Sequence, residues 1–197
     1  MDDATSEIDY AQWVEEESTL TVMAGLKEVI EGKGVFCGLY SARGSHFWLT
    51  PKAGGQIHPH RLTPVGRALR ELGVQMIPAS SPQARGRSER NFGTWPGRWP
   101  QELRLHGIAT LEAAHRFLRE HSIEAFHRRF QVPAREPGSA LVRRSSKDLD
   151  LIFALQYQRT VNRDNTVNIQ NLQLQIEPVR WRATLPGAAQ RREQARL

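Results

Sequence analysis

A single cysteine, Cys37, stands among the 197 residues, so no disulfide can staple the chain to itself. No apolar run approaches the roughly twenty residues that a membrane-spanning helix needs. The opening Met1-Asp2-Asp3 is acidic and polar, where a secretion signal is basic and then apolar. These absences exclude a disulfide scaffold and predict a cytoplasmic protein without a membrane partner. Cys37 lies inside the apolar stretch Val35 to Tyr40, which predicts a buried, reduced thiol. His46, His58 and His60 lack the spacing of a structural zinc site, and none is assigned a metal. Internal repeats are lacking too.

Lysine is nearly missing from the second half. Residues 1–83 carry 7 basic against 10 acidic side chains, residues 84–197 carry 20 against 11, and Lys147 is the one lysine of that second set. Arginine suits bidentate contact with phosphate, so a polyanion is the expected partner of this half. The excess of charge does not by itself name one.

What is present is an α/β order. Asp2 to Ser6 predicts a turn, and Ile8, Tyr10, Gln12 and Val14 alternate with more polar neighbours as a strand does. A turn so close to Met1 predicts a strand before it, and hence an N-terminus cut short. Ser18 predicts the cap of a helix whose core face is Leu20, Met23, Leu26, Val29 and Ile30, stopped by Gly32 and Gly34. Val35 to Tyr40 then reads as a strand buried on both faces. Its polar exit, Ser41 to Trp48, stands where α/β folds place ligand-contacting residues.

An irregular loop from Leu49 to Arg61, a helix capped by Thr63 and ended by Gly73, and a short strand at Val74 to Ile77 follow. A longer helix is predicted from Thr110, its apolar stripe running through Leu111, Ala114, Phe117 and Leu118 to Ile123, Phe126 and Phe130. Leu149 to Val161 alternates as one long strand. A hairpin turn at Asn162 to Asn165 and two short strands, marked by Val167, Ile169, Leu172, Leu174 and Ile176, complete a small β module.

Between the second strand and the Thr110 helix lies Pro82-Gln83-Ala84-Arg85-Gly86-Arg87-Ser88-Glu89-Arg90. A Ser- and Pro-rich loop leads here into a predicted helix, with Glu89 on its first or second turn. Two roles fit Glu89. It can be an exposed carboxylate paired with Arg85 at i−4, worth a few tenths of a kcal/mol. It can instead be a metal ligand in a cleft whose basic rim holds nucleic-acid phosphates.

In this order, the segments Asp2-Asp3-Ala4-Thr5-Ser6, Leu39-Tyr40-Ser41-Ala42-Arg43-Gly44, Leu69-Arg70-Glu71-Leu72-Gly73-Val74 and Ser81 to Arg90, with the β module, resemble the integrase core of DDE-type insertion-sequence transposases and retroviral integrases. The resemblance implies a ribonuclease-H-like mixed sheet flanked by helices, its first strand missing here, followed by a small C-terminal β module. It divides the chain into an integrase core over 1–130, a linker over 131–147, an incomplete β module over 148–182 and a disordered tail over 183–197.

In that family three acids hold two Mg²⁺ ions that activate an attacking oxygen for DNA strand transfer. The resemblance carries the helix acid to Glu89, as catalytic residue and metal ligand, and implies DNA contacts for Arg43, Arg85, Arg87 and Arg90. The strand-end acid falls on Ala42, and the first acid belongs to the strand that is missing. Asp2 and Asp3 belong to the turn and do not fill that role. A degenerate, catalytically inactive transposase core that does not hold Mg²⁺ stably is therefore expected, with DNA as partner and a homo-oligomer or a full-length transposase subunit as a second one. The alternative is a DNA-binding or transposase-assembly module without chemistry.

Overall fold

Ser18 starts the first helix as expected. Its hydroxyl accepts a hydrogen bond from the Thr21 amide at 3.2 Å while Thr21 Oγ1 accepts one from the Ser18 amide at 2.9 Å, a reciprocal cap that satisfies two otherwise orphaned donors. A computed structural model of the chain describes residues 1–51, 55–58, 60–79, 99–143, 149–169, 171–177 and 191–194. The chain is mixed α/β and falls into two units, Met1–Leu149 and Asp150–Leu197.

In the first unit, helix α1 (Thr19–Lys33) buries Met23, Gly25 and Ile30, and Gly34 closes it at φ 110. Leu20, expected on the core face, is 57% exposed. Strand β1 (Gly38–Ser41) follows. Helix α2 (Pro64–Glu71) is capped by Thr63 and buries Val65, Gly66, Ala68 and Leu69. Strand β2 (Gln75–Pro78) then lies parallel to β1 in the register Gly38 to Gln75 through Ser41 to Pro78. Strand, helix, strand in parallel is a crossover unit, but it is not the expected one, which ran from a strand over residues 8–14 through α1 to Val35–Tyr40. Ser41 is buried, whereas Tyr40 is 59% exposed.

Two expectations are corrected here. Cys37 is exposed, not buried. The run Val35 to Tyr40 is apolar enough for a two-sided core, yet among the described residues its sheet has only two strands, which leaves Gly38 and Tyr40 open to solvent. Residues 7–14 run without strand pairing. Their polar groups are satisfied differently. The Ile8 amide donates to His127 Nε2 at 2.9 Å, Lys33 Nζ reaches Glu7 at 2.5 Å and Asp9 at 2.8 Å, and Gln12 Nε2 donates to the Thr21 carbonyl at 3.0 Å. Tyr10 lies over Gly25, where a Cβ would come within 2.8 Å of its ring.

Residues 99–105 are helical (α3), and Trp99 packs edge-on against Trp13, ring centroids 5.1 Å apart. The long helix predicted from Thr110 is present as α4 (Leu111–Phe117) and α5 (Ile123–Phe130), joined by a π-helical segment, Leu118–Ser122. Ala114, Leu118 and Phe126 form its buried stripe. Beyond it, in the stretch expected as a linker, the Val132 amide donates to the Thr5 carbonyl at 2.9 Å, and Val142 makes an isolated antiparallel bridge with Val35.

At the division between the units, Leu149–Ile152 is a short helix, α6, where a strand is expected. Leu149, Ile152 and Phe153 are the buried positions. That i, i+3, i+4 spacing is hidden inside an apparent alternation through Leu151, which is 43% exposed.

In the second unit β3 (Gln156–Arg159) pairs antiparallel with β6 (Arg191–Gln194), and β4 (Thr166–Ile169) with β5 (Leu172–Gln175). β6 comes from the tail expected to lack order. The turn at Asn162 to Asn165 is present, with the Asn165 amide donating to the Asn162 carbonyl at 3.1 Å and Asn165 at φ 61, which asparagine tolerates. Val161, Val167 and Ile169 form a small core with Tyr157 and Ile176 against it.

Candidate functional site at the end of strand β1

β1 ends on a polar residue that is buried. Ser41 is 6% exposed, and its hydroxyl accepts a hydrogen bond from the Trp48 indole at 2.9 Å. Its carbonyl accepts one from the Ala79 amide at 3.0 Å, just past the end of β2. Both polar ends of Ser41 are thus engaged, and the strand end is fixed in place. Ala42 follows, half-buried, and offers only a methyl group.

The chain then turns sharply. The Phe47 and Trp48 amides both donate to the Gly44 carbonyl at 3.0 Å, which folds Trp48 back toward Ser41. The exposed Arg43 donates to the Gly55 carbonyl, and the His58 amide to the Leu49 carbonyl at 2.8 Å. His58 Nδ1 accepts from the amides of His60 at 3.3 Å and Arg61 at 3.1 Å. Thr63 closes the connection, accepting from the Gly66 amide at 3.0 Å and donating to the Phe47 carbonyl at 3.2 Å. Apart from the Thr63 cap, none of these staples is visible in sequence as a motif. Tryptophan seven residues beyond a strand end, with a buried serine to receive its N–H, is the one signal that could have found part of it.

Of the predicted site residues, Arg43 is at this strand end. Glu89, Arg85, Arg87 and Arg90 lie outside the described residues. Arg128 lies 4.0 Å from Glu124, and the Arg129 guanidinium is 5.2 Å from the Phe130 ring centre.

Asp2 is committed to its turn. Its carboxylate accepts from Thr5 Oγ1 at 2.6 Å and from the Ala4 amide at 3.2 Å. Partial burial pushes its pKa up, but these hydrogen bonds, the Thr5 hydroxyl's first, outweigh burial and hold it below the usual value. Among the described residues no group of three or more His, Cys, Asp or Glu could hold a metal ion. The donor set at the strand end does not fit a two-metal centre, because Ala42 supplies no oxygen. Over α4 lies an open groove of about 600 Å³ lined by Trp13, Leu111, Glu112, His115, Arg116 and Arg119. Arg116 is paired with Glu112 and Arg119 with Glu28, so its cations are already committed to acids.

No family model matches the chain, and no solved structure matches it. Its curated relatives are transposases. One, named "Putative transposase y4bF", from Sinorhizobium fredii, is 35% identical over 138 residues, 68% of this chain and 29% of that protein. Another, the transposase for insertion sequence IS1202 of Streptococcus pneumoniae, is 26% identical over 171 residues, 87% of this chain and 36% of that protein. The chain thus spans about a third of the length of the relatives it matches. No helix among the described residues is long and apolar enough to cross a membrane.

Proposed function

We propose that the chain is part of a DDE-type transposase, a ribonuclease-H-like integrase core with a small β module, and that it serves DNA transposition without carrying out the strand-transfer chemistry itself. The observation that carries this is position 42. It stands at the C-terminal end of a parallel strand, directly after a buried, doubly bonded serine and before Arg43-Gly44, and it is alanine. Similarity to two transposases supports the class.

Ala79, bonded to Ser41, begins the path to Glu89 ten residues on. Glu89 is then the remaining family ligand, and Arg43, Arg85, Arg87 and Arg90 are DNA contacts. One carboxylate does not assemble a two-metal site, and losing a member of a cooperating set typically costs orders of magnitude in rate.

The purified chain is expected to show no Mg²⁺- or Mn²⁺-dependent nicking or strand transfer on duplex DNA, and the variant Glu89→Gln to be indistinguishable from it. Metal-dependent nicking abolished by Glu89→Gln would overturn the inactive assignment. The excess of arginine after residue 83 also favours a second reading, a DNA-binding or assembly module acting as a homo-oligomer or with a full-length transposase subunit. Co-sedimentation with a full-length transposase in the absence of DNA distinguishes that role.

A further inference from the structure

Along α4 and α5 the buried positions step by four residues. Ala114, Leu118 and Phe126 are buried, Phe130 follows at the same interval, and Ser122 stands in the gap. An α-helix turns about 100° per residue, so the seventh residue after Leu118 belongs on its face and the eighth lies about 80° away from it. Here the seventh, Ala125, is exposed and the eighth, Phe126, is buried. The π-helical segment Leu118–Ser122 accounts for this. In it the Ile123 amide donates to the Leu118 carbonyl, a turn that takes up one residue more than an α turn.

The extra residue has a cost. The Ser122 hydroxyl is buried and, among the described residues, has no hydrogen-bond partner, which native structures seldom tolerate. In an unbroken α-helix a serine hydroxyl reaches the carbonyl four residues back. For Ser122 that is the Leu118 carbonyl, which the π turn gives to the Ile123 amide.

What holds the π form lies outside the helix. The opening segment runs antiparallel to it: the Val132 amide donates to the Thr5 carbonyl at 2.9 Å, the Ile8 amide donates to His127 Nε2 at 2.9 Å, and the Arg119 guanidinium lies 5.8 Å from the Tyr10 ring centre. Arg119 and His127 are also eight residues apart, so the extra residue brings both of them onto the face that meets this segment. α5 itself buries only Phe126, and an element with so few buried contacts opens easily.

We propose that the π turn is a register switch. In the docked phase Phe126 points inward and His127 holds Ile8. In the other phase α5 is turned by one residue, α4 and α5 form one continuous α-helix, the Ser122 hydroxyl bonds to the Leu118 carbonyl, and the opening segment is released. That segment is the lock on the switch. The proposal does not depend on the transposase reading.

Deleting Ser122 from the full chain is the test. Leu118 and Phe126 then stand seven residues apart, so the continuous helix and the docked phase coincide and no second phase remains. The deletion variant is expected to fold, with amide hydrogen exchange across residues 124–130 slowed by about tenfold or more and exchange in α4 unchanged. His127→Ala weakens the lock, and is expected to speed exchange of α5, Ile8 and Val132 together while α4 keeps its rate.

Loss of α5 in the deletion variant overturns the switch, because the extra residue is then needed for packing. A folded deletion variant whose α5 exchanges as fast as in the unmodified chain overturns it as well. Acceleration confined to Ile8 in His127→Ala overturns the assignment of the opening segment as the lock.

Discussion

Lys33 holds the opening segment to the end of α1. Its ammonium sits 2.5 Å from Glu7 and 2.8 Å from Asp9, and the terminal amine lies 3.6 Å from Asp9 as well. Burial pushes the Lys33 pKa down, but the two carboxylates, Asp9 first, outweigh burial and leave it above the ordinary lysine value. A folded-state pKa raised in this way means that the clasp stabilises fully below the unfolded lysine pKa of roughly 10.4 and fades as pH rises through the folded value. Lys33→Met is expected to cost about 0.5–1 kcal/mol at neutral pH, the range for partly exposed pairs, and to speed amide exchange at Ile8. In melts from neutral to strongly alkaline pH, the difference between the two proteins should shrink. A constant difference would show that lost packing, not the ion pairs, is responsible.

Cys37 illustrates how far a single side chain is legible. The apolar residues from Val35 to Tyr40 identify a strand, and the strand is there. They do not reveal whether both faces of it are covered, because an apolar run looks the same whether the sheet continues or stops. Cys37 is exposed, its Sγ 3.7 Å from the Ala140 carbonyl. The folded protein is accordingly expected to react with an aromatic disulfide reagent at neutral pH at a rate within about tenfold of the urea-unfolded chain, since access and thiolate fraction govern the rate. A thiol that reacts only on unfolding would restore the buried assignment.

Elements whose ends are written in local chemistry were read correctly. Ser18, Thr63 and Thr110 cap the helices they were expected to cap, because a hydroxyl that reaches the amide three residues on needs no tertiary help. At the other end of α2, the Gly73 amide donates to the Arg70 carbonyl at 3.1 Å and the Val74 amide to the Leu69 carbonyl at 2.9 Å. This paired closure requires a left-handed residue at position 73, and Gly73 has φ 77.

Nothing lies within 4 Å of a Cβ built at Gly73, so Gly73→Ala is expected to cost the backbone term alone, about 1 kcal/mol. Thr63→Ala removes two bonds at a residue that is 3% exposed and should cost more, about 1–2 kcal/mol. Urea melts of the two variants give the order directly, and equal losses would mean that the bond from Thr63 to Phe47 contributes nothing. Elements defined by partners were less legible. Residues 7–14 alternate but lack a neighbouring strand among the described residues, and α6 is concealed because the step of four from Leu149 to Phe153 satisfies both period two and period 3.6.

For the whole molecule, the order of most elements could be read from the chain, but the crossover it suggested, from residues 8–14 through α1 to Val35–Tyr40, is not the one that forms, because β1 takes β2 as its parallel partner across α2. What cannot be read is whether two residues 47 positions apart face each other. Ala42 and Glu89 test this without catalysis. If the family geometry holds, Ala42→Asp places a second carboxylate within reach of a shared cation, and Mn²⁺ affinity measured by electron paramagnetic resonance should rise.

The decisive comparison is the cycle with Glu89→Gln. Two ligands of one ion are coupled, so the gain from Ala42→Asp should fall at least severalfold when Glu89 is replaced, a coupling of about 1 kcal/mol or more. Independent carboxylates would bind weakly and additively. Additivity would separate position 42 from Glu89 in space and leave the integrase-core reading without its site, even though the sequence similarity to transposases stood.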